Sequence, residues 1–154
     1  MRKYLSVLFA GAVLLLMTPL AAFSQEEEVT EPEIHYITAT VFDVPSGEKG
    51  QKVMEYIQSV IVPTNQLNSN VLHSSVLTHN WGSNSAEIVL VAEYADWAAI
   101  EASCGEPCQA WFEENQPEEG TPEREEWDAM AQAFSRAYNG HRDEIYEKNM
   151  DWAK

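Results

Sequence analysis

Basic residues are scarce in this 154-residue chain: nine lysines and arginines stand against 25 acids, a formal charge of −16. That charge repels phosphate backbones and anionic lipid surfaces. The seven cations beyond Arg2 and Lys3 form no concentrated basic patch, so no nucleic acid is expected as a partner. A solvated acidic surface is the plain reading; weak cation affinity or a basic partner are the positive ones. Several motifs are missing as well. There is no G-x-x-x-x-G-K-[ST], no H-E-x-x-H and no G-x-S-x-G, so nucleotide hydrolysis, zincin chemistry and the common serine-hydrolase arrangement have no support. No apolar run reaches the roughly 20 residues of a bilayer crossing. Cysteine is limited to Cys104 and Cys108.

The longest apolar run, Tyr4 to Met17, follows Arg2 and Lys3 and precedes Pro19 and the small-residue tripeptide Ala22-Phe23-Ser24. This is the pattern of a secretory signal peptide, residues 1–24, with cleavage expected after Ser24. No cysteine lies near the cut, which argues against a lipoprotein anchor. Its removal takes away two cations and no anion, moving the formal charge from −16 to −18 on 130 residues. An exported protein, periplasmic or secreted from a bacterium, with no membrane span after cleavage, is the expectation. One domain of that length can bury a core.

Gln25 to Glu33, "QEEEVTEPE", is charged and aperiodic and reads as a flexible acidic leader. Ile34 to Val44 is rich in β-branched and aromatic residues and closes at Pro45-Ser46-Gly47, a strand and its turn. Residues 48–62 then place Val53, Met54, Ile57, Val60 and Ile61 on one helical face, and Pro63 is expected to end or kink that helix. "TNQLNSN" reads as a loop, residues 71–81 as a second strand, "GSNS" as a hairpin turn and residues 86–95 as a third strand. Asp96 is placed to cap a short helix, broken by "CGEPC", and "QAWFEENQ" adds a turn or two. After "PEEG", Thr121 at the cap and Pro122 at the first helical position open a long helix. Its buried stripe is Trp127, Met130, Ala131, Phe134, Ala137 and Tyr138. Residues 141–150 read as a last strand or a frayed helix, with the strand favoured.

Strand, helix, strand, strand, helical segments, strand is the order of a ferredoxin-like α+β domain, βαββαβ with an antiparallel sheet and helices on one face. Here it would span residues 34–150, with a helical insertion at 96–121. The stretch "HNWGSNSAEIVLVAEYADWAAIEA" resembles the second-strand, turn, third-strand and short-helix segment of the dimeric α/β-barrel proteins. The long "SCGEPCQAWFEENQPEEG" segment departs from their simplest members. The resemblance implies a homodimer whose two sheets pack face to face, and a small-molecule ligand held in the barrel or between sheet and helices. That family includes cofactor-free monooxygenases, haem-handling enzymes, isomerases and members without known activity. It has no universal catalytic motif, so it transfers no catalytic residue and no cofactor to this chain.

Period two puts His73, Ser75, Leu77, His79 and Trp81 on one face of the second strand. His79 and Trp81 are then neighbours about 7 Å apart, whereas His73 and His79, about 20 Å apart, cannot share a metal ion within the strand. A two-histidine metal site would need His35, His141 or a second subunit, and no metal site is expected. His79 with Trp81 and Tyr94 are the candidate ligand-binding residues, a polar-aromatic rim with the histidine as base, acid or axial ligand. The alternative is that His79 ends a strand and Trp81 packs at a hairpin corner. His141 and Asp143 share a strand face and would form an oriented base or ligand pair, or simply an edge strand's polar face. For Cys104 and Cys108 a disulfide is favoured over a redox pair, whose usual spacing has two intervening residues, and over a metal site, which lacks further ligands. The functional expectation is an exported small-molecule-binding protein, with catalysis left open. The competing class is a non-enzymatic interaction module using the acidic surface and the Trp111-Phe112 insertion.

Overall fold

The computed structural model describes residues 32–79 and 86–153. Four strands form one antiparallel sheet: β1 (Ile34–Asp43), β2 (His73–Thr78), β3 (Glu87–Tyr94) and β4 (Arg142–Asn149), in the order β2-β3-β1-β4. With helices between β1 and β2 and between β3 and β4, this is the ferredoxin-like α+β arrangement, as the resemblance to dimeric α/β-barrel proteins implies. Residues 142–149 are therefore strand, bonded to β1 in a register that opposes Ile145 and Thr38.

The helical run after β1 is longer than its sequence suggests. α1 (Glu48–Tyr56) passes through a π-helical turn (Ile57–Ile61) into α2 (Val62–Leu67), so Pro63 does not end the helix and "TNQL" is helical instead of loop. The physical reason lies in the wide turn. A proline inside an α-helix drives its ring against the carbonyl four residues back. Here Val62 N–H bonds the Ile57 carbonyl five residues back, which opens the helix just ahead of Pro63 and leaves it near the start of the next segment. Thr64 Oγ1 donates to the Val60 carbonyl at 2.7 Å where the ladder is interrupted.

Helix stripe and strand alternation meet in one core. Val53, Ile57 and Val60 are fully buried, and Val53 and Ile57 pack with Phe42 of β1 and Ile88 of β3. Burial of each such side chain contributes about 1.5–3 kcal/mol. α5 (Pro122–Tyr138) lays Phe134 and Tyr138 edge-on against Phe42, both at 5.8 Å between ring centroids. Its start follows the expected chemistry: the Thr121 side chain accepts from Arg124 N–H at 3.2 Å, with Pro122 just inside.

The segment between β3 and α5 contains α3 (Trp97–Glu101), capped by Asp96 accepting from Ala99 N–H, and α4 (Glu106–Asn115). α4 is a fuller helix than a turn or two, and it begins inside "CGEPC". Cys104 and Cys108 form a disulfide with Cα atoms 5.8 Å apart, clamping the start of α4. The ring it closes is short, so replacing both cysteines by serine is expected to lower stability by no more than roughly 2 kcal/mol. Urea denaturation with and without reductant checks this, and a larger loss would show that the insertion's fold depends on the bridge.

Pairing assigns the sheet's faces. Phe42, Ile88, Leu90 and Val76 turn toward the helices. Alternation puts Ile37, Ala39, Val41, Leu77, Val89 and Val91 on the opposite face, where none of the described helices packs. Leu77 is 51% exposed there, and Tyr146, opposite Ile37, is 49% exposed.

Candidate functional site

One end of the open sheet face carries a polar network. Glu93 of β3 accepts from Lys148 Nζ of β4 at 2.8 and 2.9 Å, and the same carboxylate lies 2.8 Å from His35 Nδ1 of β1. The other ring nitrogen of His35, Nε2, lies 3.2 Å from Glu33. His73 of β2 stands opposite Glu93 in the register. The carboxylates raise the His35 pKa, Glu93 first, against the smaller opposing effect of burial. Lys148 and then His35 lower that of Glu93.

The two shifts define a pH window. A raised histidine pKa stabilises the fold below the usual 6.5 and loses that contribution as pH climbs through the raised value. A lowered carboxylate pKa stabilises above the usual 4.5 and fails as pH falls through the lowered value. Both contributions are thus present between about pH 4.5 and 6.5. His35→Gln is expected to lower Tm more at pH 5.5 than at pH 9, and an equal loss at both would remove the charged network.

His79, Trp81 and Tyr94 do not meet as a rim in what the structure describes. His79 N–H bonds the Glu87 carbonyl just past the end of β2, so the histidine continues the open face at the start of β3. Tyr94 ends β3, seven residues on and about 23 Å away, opposite Tyr36 on the helix-side face. Position parity separates the two. Trp81 lies outside the described residues, as does the "GSNS" turn.

His141 and Asp143 are brought together. His141 Nε2 is 3.1 Å from Asp143 Oδ2, Thr40 donates to Asp143 Oδ1 at 2.6 Å, and His141 Nδ1 is 2.7 Å from the Tyr138 carbonyl. The imidazole also stacks on the Tyr138 ring at 4.0 Å. Both ring nitrogens are engaged within the protein, so the cluster is a clasp that fastens the start of β4 to the end of α5. Burial, then Asp143, raises the Tyr138 pKa, partly offset by a hydrogen bond with Thr40.

A concavity lies elsewhere, between α1 and α5 at the end of β1. It has a volume of about 740 Å³. Val44 and Pro45 form its apolar end, and Ala129, Ala133 and Ala137 line the α5 wall. Lys49 and Lys52 project from α1 and Arg136 from α5, with Asp43 and Glu48 also at the lining. Such a size, with an apolar wall facing charged groups of both signs, suits a small organic ligand. Close contact sets its end: a Cβ on Gly50 would lie 1.9 Å from the Pro45 carbonyl oxygen, so only glycine lets α1 approach this turn.

Sequence reasoning singled out His35 but missed Glu93, Lys148 and the cleft cations. An acid in the apolar run "EIVLVAEY" was the available signal for Glu93; nothing local points to Lys148, 55 residues away. Trp111, a candidate for partner binding, packs against Trp127 at 6.2 Å between ring centroids, while Phe112 is 36% exposed. Among the described residues no group of three or more His, Cys, Asp or Glu is placed to hold a metal ion. None of the helices described is long and apolar enough to cross a membrane.

No protein-family profile matches this chain, and no curated protein does. Among solved structures it is similar to a NIPSNAP family protein of unknown function from Agrobacterium tumefaciens, at 8% identity and TM-score 0.46, covering 78% of this chain and 92% of that one. A monooxygenase of Streptomyces coelicolor in complex with nanaomycin D aligns at 14% identity and TM-score 0.44, covering 79% and 92%. A conserved protein from Methanosarcina mazei aligns at 14% identity and TM-score 0.44, covering 76% and 93%.

Proposed function

We propose that this chain is an exported, small-molecule-binding protein of the dimeric α/β-barrel type, acting as a homodimer. The observation that carries the binding role is the cleft of about 740 Å³ between α1 and α5, with an alanine wall beside charged side chains of both signs. A neutral apolar fluorophore, N-phenyl-1-naphthylamine, is expected to brighten on binding there. Ala129→Trp, which fills the α5 wall, should abolish the signal while the fold persists. Unchanged fluorescence in that variant would sink the cleft as the binding site.

The homodimer is supported by the open sheet face. Its apolar band would be covered by the same face of a second copy, the self-complementary contact of a two-fold dimer. Charge supports a like partner despite the acidic chain. Glu93 is paired with Lys148 and His35, and Glu87 and Glu144 are both paired with Arg142, so the rim of this face carries both signs. Export is supported by the pattern of residues 1–24 and by the disulfide, which persists in oxidising compartments. An oxidoreductase, cofactor-free or haem-handling, is the finer reading of the same architecture. A Soret shift on haem titration that His79→Ala abolishes would support the haem branch, and no shift would remove it. If pull-down from a periplasmic or extracellular fraction recovers a stoichiometric protein partner, the interaction module replaces the small-molecule role.

A further inference from the structure

The cations of this acidic chain are unevenly partnered. Among the described residues, Lys52 pairs with Glu48, Arg124 with Asp128, Arg142 with Glu87 and Glu144, and Lys148 with Glu93. Lys49 and Arg136 have no carboxylate of the described residues within 4 Å, and both line the α1–α5 cleft, one from each helix. In a chain with 25 acids and nine Lys and Arg, unpaired cations are unexpected, and two on facing walls of one cavity are more so. The start of α1 adds to this field. Gly47 caps it with no side-chain hydrogen bond, and the first amides of a helix carry partial positive charge with no intrahelical acceptor.

We propose that the cleft selects an organic anion: a monocarboxylate with an apolar body, its carboxylate held between Lys49 and Arg136 and its body laid along the alanine wall. This rests on the reading of the cleft as a small-molecule site. A single negative charge is favoured over a phosphate dianion because Asp43 and Glu48 line the same cavity and repel further charge. An apolar body is favoured because, with Lys52 paired to Glu48, the rest of the lining is Val44, Pro45, Gly140 and the alanines at 129, 133 and 137, with Gln132 as its one neutral side-chain donor. Two charge-assisted bonds at partly solvated sites give selection for the anion more than raw affinity, and salt weakens them.

Displacement of N-phenyl-1-naphthylamine from the purified protein at low ionic strength tests this, with decanoate, its neutral analogue decanol and a QEEEVTEPE peptide as competitors. Decanoate is expected to displace the probe at least ten-fold more effectively than decanol. The K49Q/R136Q double variant should lose that preference while still binding decanol, and R124Q, which alters a paired cation of α5 outside the cleft, should keep it. Both cleft substitutions are at exposed positions, so far-UV circular dichroism should be unchanged. Equal competition by decanol and decanoate overturns the anion selection but leaves the small-molecule site standing. Retention of the preference in the double variant overturns the assignment to Lys49 and Arg136. Displacement by neither, with no probe binding, overturns both readings, and tighter competition by the peptide reassigns the cleft to the chain's own acidic leader.

Discussion

Alanine at Gly50 is expected to destabilise the protein by about 2–3 kcal/mol, against the trend of helix propensity. In an unconstrained helix interior the same change would be favourable by about 1 kcal/mol. The difference is steric. The added methyl would sit 1.9 Å from the Pro45 carbonyl oxygen and 3.2 Å from Val44 Cγ1. A backbone oxygen cannot swing aside as a side chain does, because the turn is held on both sides: Val44 N–H bonds the Ala86 carbonyl at 2.8 Å, and Gly47 turns the chain with φ +77°. Either α1 withdraws from β1, opening the core around Val53, or the turn distorts. Either movement shifts a part of the cleft lining, α1 or Pro45, so the loss of stability should be accompanied by weaker probe binding in the cleft. Gly140→Ala is the control, since nothing lies within 4 Å of its added Cβ and its effect should be small. Urea denaturation of both variants measures the comparison; a neutral Gly50→Ala would mean the turn yields freely.

Lysine at Val89 is expected to convert a dimer to a folded monomer. Val89 lies between Val41 of β1 and Leu77 of β2 in the register, in the middle of the open face. In an isolated subunit a lysine there reaches water, and the helix-side core on the other face is untouched, so stability should change little. In a face-to-face dimer the two-fold axis brings two such ammonium groups into the interface. Burying each without a partner costs several kcal/mol, and their repulsion adds to it. Sedimentation velocity should report about one 17.4 kDa chain, less any signal peptide removed, for the variant and about twice that mass for the wild type. A variant that remains dimeric with unchanged stability would place the subunit contact on another surface.

How much of this was legible in advance depended on range. The cap and stripe of α5 were readable because both are local: a threonine hydroxyl reaches an amide three residues on, and residues three and four apart share a helix face. Strand alternation correctly put His73, Ser75 and Leu77 on one face. Pro63 was legible only in part: it perturbs the helix without ending it, because its local penalty is relieved by a widened turn, while burial of Ile57 and Val60 holds the run together. The ligand rim was less legible still. His79 and Tyr94 are near in sequence, but their positions on paired strands send them to opposite faces and ends of the sheet.

Element order, the helix caps and the pairing of Cys104 with Cys108 followed from short spacings, because each is decided within a few residues along the chain. The Glu93–Lys148 pair, the clasp of Thr40 with Asp143 and the placement of Lys49 and Arg136 on the lining of one cleft followed only from the tertiary structure. These groups are brought together by the β2-β3-β1-β4 order and by the packing of α1 beside α5. No local propensity encodes such contacts, since their energy is realised only once distant segments have closed on one core.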